Sequence, residues 1–221
     1  MSIGLILGVA NSYTREGAHF ARQYLFAINV ALKEAGLEPY VEPAGEVSAR
    51  GRSTIDGGGG EAFGGVGELA AADFDGVWKA TVPQPPGFFA GLRGAVARPA
   101  AAPTTKSHLG LLAVNPYRVA FLPADFPAPL RTEHEEPLGG VPHLIWFGSA
   151  PRLLKELRDV AWKLKIPLGE NGELSDEIVD KLNDGEPLSE GDDTSRQSAW
   201  FQLHEGALAA VKHGMALSLA G

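Results

Sequence analysis

The chain has no cysteine, and that one absence removes disulfides, thiolate metal sites, iron–sulfur clusters and cysteine nucleophiles from consideration. It is also poor in positive charge: 19 Lys and Arg against 27 Asp and Glu give a formal net charge of −8 and a pI near 5.2. Binding to a phosphate backbone requires clustered bases, so the composition predicts no nucleic-acid partner. No apolar run approaches the roughly 20 residues of a membrane-spanning helix. "IGLILGVA" (Ile3 to Ala10) has no Lys or Arg before it and reads as a buried strand rather than a signal. The expected location is the cytoplasm, with no membrane partner.

Two absences are local. Lysine is missing between Lys33 and Lys79, a span that contains "STIDGGGGEAFGGVGEL" (53–69), where seven of the eleven positions from Gly57 to Gly67 are glycine. Without a lysine the run is not a Walker-type phosphate loop. "GGGGEA" (Gly57 to Ala62) formally satisfies the Gly-x-Gly-x-x-Ala dinucleotide fingerprint. The preceding "GEVSARGRSTID" is polar, however, and lacks the strand that such a site needs. The run is therefore expected to be a hinge or disordered crossing between Asp56 and Glu68, and no cofactor is implied. The second local absence is acid: none occurs from Gly76 to Ala124, where Lys79, Arg93, Arg98, Lys106 and Arg118 stand unopposed.

What is present is mixed α and β. Periodicity and capping signals predict an α+β fold with one mainly central sheet, whose strands lie near 3–9, 39–42, 109–114, 118–122, 141–147 and 215–220. Residues 109–122 read as a hairpin around "NPY". Helices are expected near 14–36, 150–164, 176–183 and 195–213, with Ser149 and Ser175 as N-caps and Gly36, Gly185 and Gly214 as terminators. The 221 residues are expected to form a single domain, with an irregular Gly/Pro/Ala-rich excursion at about 45–106.

Candidates for chemistry are few. The strand-to-helix loop at 8–17 would present backbone N–H groups at a helix N-terminus, and Asn11, Ser12, Thr14 and Arg15 could meet an anion there. Glu16 and His19 lie three apart on the following helix and could form a base with its orienting partner. His134, Glu135, Glu136 and His143 are close in sequence but lack the further ligands that a metal site requires, and no metal is assigned. His204 and His213 lie nine apart, on opposite sides of a helix. No Gly-x-Ser-x-Gly nucleophile elbow occurs.

Charge placement carries more. From Leu168 to Asp193 ten acids face one base, Lys181, and a block of one sign on an ordered segment can serve as an interaction surface. The reading that follows is a non-catalytic, bacterial-type protein-binding module, similar in charge and size to immunity proteins that neutralise basic toxins or nucleases. Its partner would be a basic protein held by Glu173, Asp176, Glu177, Asp180 and Asp184, with Phe88 and Phe89 adding an apolar contact. The alternative is a small-molecule enzyme or sensor that binds an anion at the 8–17 loop. Oligomeric state is left open by the sequence.

Overall fold

The computed structural model describes residues 3–8, 17–43, 54–55, 59–71, 106–114, 119–134 and 143–220. The elements run β1 (Ile3–Leu7), α1 (Gly17–Glu34), β2 (Thr54–Ile55), α2 (Gly59–Ala71), α3 (Leu111–Val114), β3 (Val119–Leu122), β4 (Leu130–His134), β5 (His143–Ser149), α4 (Ala150–Ala161), a 3-10 turn (Trp162–Leu164), α5 (Asp176–Asp184), α6 (Thr194–His213) and β6 (Leu217–Ala220). The class is α+β, as the sequence predicts. One six-stranded sheet has the order β2-β1-β6-β3-β5-β4. The β3–β5 pair is parallel, whereas the other pairs are antiparallel.

Strand alternation divides the core into two layers. Val119, Phe121, Trp146, Leu217 and Leu219 face a cluster built with α2, α4 and α6. Ala120, Leu122, Ile145 and Phe147 face the opposite cluster, which Ile28, Ala31 and Leu32 of α1 complete. Because successive side chains point to opposite faces, β3 and β5 each feed both layers, and their apolar residues run on without polar interruption. Helix α4 forms as its sequence predicts. Ser149 accepts from the Arg152 N–H at 3.3 Å, and Leu153, Leu154, Leu157, Val160 and Ala161 make its buried stripe.

Three expectations about individual elements are corrected. Residues 39–42 form no strand. Both backbone groups of Tyr40 are taken by the side chain of Asn29, which accepts from the Tyr40 N–H at 2.7 Å and donates to its carbonyl at 3.0 Å. An amide side chain thus occupies the place of a neighbouring strand.

Residues 109–114 are not half of a hairpin but a turn leading into the short helix α3. Ser107 accepts from the Gly110 N–H at 2.8 Å. The Glu156 carboxylate accepts from the Ser107 hydroxyl and from the His108 and Leu109 N–H groups at 2.6, 3.0 and 2.8 Å. These donors have no partners within a nascent helix, so a carboxylate from α4 sets the turn.

The excursion at 45–106 contains regular structure: β2, paired with β1, and the thirteen-residue helix α2. The glycine run is therefore helical from Gly59 onward rather than a hinge. Its glycines permit close packing. A Cβ on Gly67 would stand 2.7 Å from the Ala113 backbone N, and one on Gly65 would stand 2.7 Å from Nε of Arg196. Phe63 and Val66 are fully buried on the same helix. Glycine disfavours a helix by up to about 1 kcal/mol per residue, which the burial of Phe63 and Val66, at about 1.5–3 kcal/mol each, can offset.

Candidate acidic interaction face

The acidic segment is ordered throughout, and its order comes from the few polar groups that it spends on itself. Ser175 caps α5 by accepting from the Ile178 N–H, and Gly185, at φ +70°, ends it. Leu182 is buried, and Leu174, Ile178 and Val179 pack against the core cluster on the α4–α6 side of the sheet. That apolar side fixes which side of α5 turns outward.

Two of the ten acids are structural. The Asp192 carboxylate is only 1% exposed. It accepts from Lys165 Nζ at 2.8 Å, from Gln197 Nε2 at 3.0 Å and from the Ser189 N–H at 2.7 Å. Those donors hold its pKa below the usual carboxylate value, with Lys165 the largest influence. Asp193 caps α6 by accepting from the Arg196 N–H at 3.1 Å. The other eight, Glu170, Glu173, Asp176, Glu177, Asp180, Asp184, Glu186 and Glu190, are exposed. Among the described residues only Glu177 of these eight has an ion-pair partner, Lys181 at 2.8 Å.

The segment concentrates the charge of the whole chain. It carries −9, so the remaining residues sum to +1. Along α5, Asp176, Asp180 and Asp184 fall on one i, i+4, i+8 row with Glu177 beside it. At about 1.5 Å rise per residue the row advances about 6 Å between carboxylates. Asp184 stands in the last turn, where the helix dipole disfavours an anion by about 0.3–1 kcal/mol. Its placement does not serve helix stability.

Trp162 is an exposed aromatic side chain that the sequence reading passed over, with 72% of its surface open to solvent. It follows α4 by one residue and lies four positions after Arg158, whose side chain packs against Gly172 between Glu170 and Glu173. Its own turn is joined to the far end of the acidic segment, because Gln197 donates to the Leu164 carbonyl and Lys165 pairs with Asp192. Trp162 thus opens a turn that is tied to the far end of the segment. Helical spacing could have revealed it, since Trp162 falls in register with Lys155, Arg158 and Asp159, off the apolar stripe.

Of the residues expected to hold a partner, Glu173, Asp176, Glu177, Asp180 and Asp184 share this exposed segment. Phe88 and Phe89 lie outside the described residues, as do Asn11, Ser12, Thr14, Arg15 and Glu16. His19 is placed only as a backbone position in α1. His134 and His143 are cross-strand partners in the β4–β5 register. Among the described residues no group of three or more His, Asp or Glu side chains is arranged to hold a metal. No described helix is long and apolar enough to cross a membrane.

A family described as "Putative DNA-mimic protein" matches residues 1–219. No curated protein and no solved structure matches the chain. The family match corrects the expectation that nucleic acid has no place in the account of partners. A net negative charge argues against binding a phosphate backbone, but it is the property needed to resemble one.

Proposed function

The chain belongs to this DNA-mimic family, and from that premise we propose that its acidic segment imitates a phosphate array and occupies the DNA-binding surface of a basic protein. Its action is occupancy, not catalysis. The observation that carries the reading is the charge density of α5. Four acids and one lysine over nine residues leave a net −3 in about 13.5 Å, or one charge per ~4.5 Å, against about 3.4 Å per phosphate along one DNA strand.

Rigidity supports the same reading. A mimic that is ordered before binding loses less freedom on association than a disordered acidic tail, and α5 is capped at both ends and anchored by Leu182. Trp162 adds what DNA lacks on its outer surface, an aromatic face for an arginine of the partner to stack upon. Carboxylates and ring together favour a partner rich in arginine, whose guanidinium forks engage carboxylates in pairs.

The test is a charge reversal. Asp176→Lys, Glu177→Lys and Asp180→Lys combined leave the buried side of α5 intact, because all three positions are exposed. The immobilised wild-type chain should retain a DNA-binding protein from a lysate of its source, and the triple variant should retain at least tenfold less. Equal retention by a folded triple variant contradicts the proposal.

A further inference from the structure

The sheet ends on β4. In the strand order its one neighbour among the described residues is β5, so the outward N–H and C=O groups of Leu130–His134 meet no ladder partner among those residues. An open strand edge is a template for a further strand. The opposite edge, β2, offers only two residues. Edges are commonly blunted by proline or charge. Here Pro127 and Pro129 precede β4 and Pro137 follows it, which bounds the edge without interrupting it. Between them the strand reads Leu-Arg-Thr-Glu-His, with one charge of each sign two positions apart.

A second copy of β4 can meet this edge antiparallel about a two-fold axis, and the backbone restricts how. Successive residues of a strand turn their N–H and C=O groups to opposite sides. Residues that face each other across a new ladder must therefore both turn outward or both turn inward, so the axis passes through a residue and not between two. An axis at Arg131 sets arginine opposite arginine, and one at Glu133 sets glutamate opposite glutamate. Like charges directly opposite disfavour pairing. An axis at Leu130 or His134 leaves most of the strand unpaired. An axis at Thr132 pairs all five residues and sets position 131 opposite position 133 twice. Leu130 and Thr132 are half-buried at the margin of the sheet, and a second strand would complete their cover. We infer that the chain forms a two-fold dimer through β4 centred on Thr132, with Arg131 of each copy opposite Glu133 of the other. The two six-stranded sheets then become one. Such pairing consumes the edge that it uses, so it closes at two copies. It does not rest on the mimicry reading.

The experiment is sedimentation equilibrium of the full chain from micromolar to millimolar concentration at constant ionic strength. A five-residue edge is small beside the about 800 Å² per partner of standard interfaces, so association should be reversible within that range and should stop at the dimer. Arg131→Glu and Glu133→Arg, each alone, turn both opposed pairs into like charges and should weaken dimerisation by about tenfold. The double variant Arg131→Glu/Glu133→Arg restores opposite charges in exchanged places and should recover the wild-type affinity. Amide hydrogen exchange of the wild-type chain should slow within β4 as concentration rises, which reads the edge independently of how any variant folds. A monomer throughout the range overturns the inference. So does a dimer indifferent to both single reversals, a double variant as weak as the single ones, or β4 exchange that is independent of concentration.

Discussion

Glu156 stabilises structure nearly fifty residues away in sequence, and His108 is where its effect becomes chemical. By holding the N–H groups of His108 and Leu109, the carboxylate sets the turn that places the imidazole under Ser149. The neutral ring makes stability depend on pH. Its folded pKa is lowered from 6.5 to about 4, whereas the unfolded chain binds the proton at the ordinary value. The contribution is full above pH 6.5, fades as the pH falls toward 4 and is absent below. Its size is about 3 kcal/mol at most, from roughly 1.4 kcal/mol per unit. NMR titration of the His108 ring should show a midpoint near 4, and denaturant unfolding should show stability declining through this window. A midpoint near 6.5 contradicts the assignment. None of this was legible in sequence, because Ser149 and Glu156 meet His108 only through the fold.

At the scale of elements, local signals succeeded wherever a segment supplies its own caps and its own apolar stripe. Helices α4 and α5 carry Ser149, Ser175 and Gly185 at their ends; both starts and the end of α5 were readable within a residue, and the expected end of α4 at 164 takes in the 3-10 turn that follows it. Reading failed where a distant group replaced the local partner: Asn29 at Tyr40, and Glu156 at residues 107–109. The glycine run failed for another reason. Low intrinsic helix propensity was read as flexibility, but the missing side chains allow α2 to approach α3 and α6. Two substitutions separate these views. A Cβ on Gly67 would stand 2.7 Å from the Ala113 backbone N, whereas one on Gly64 would have its nearest neighbour, the Leu112 carbonyl, at 3.8 Å. Gly67→Ala should destabilise by about 1–3 kcal/mol through overpacking. Gly64→Ala should be neutral or stabilising by about 0.5–1 kcal/mol through helix propensity. Chemical denaturation of the pair checks this, and equal effects would argue that α2 is not tightly packed.

Across the whole molecule, the sheet is filled on both faces, and the densest block of like charge lies in the segment 168–193. The acidic block was visible in the sequence as a count of ten acids to one base, and the five acids singled out from it, Glu173, Asp176, Glu177, Asp180 and Asp184, are exposed. Which acids are spent internally was not visible, since Asp192 and Asp193 differ from their neighbours only in what they reach. The expected basic partner fits a DNA-mimic family, but nucleic acid was set aside because negative charge was weighed as repulsion from DNA and not as likeness to it. The central claim is that the surface and DNA are alternatives for one binding site, so the most direct measurement is competition. A complex between the chain and its captured partner should be dissolved by duplex DNA in proportion to DNA concentration, and more readily than by an uncharged polymer at the same ionic strength. Simultaneous binding of DNA and the chain to that partner, with neither weakening the other, would contradict the account.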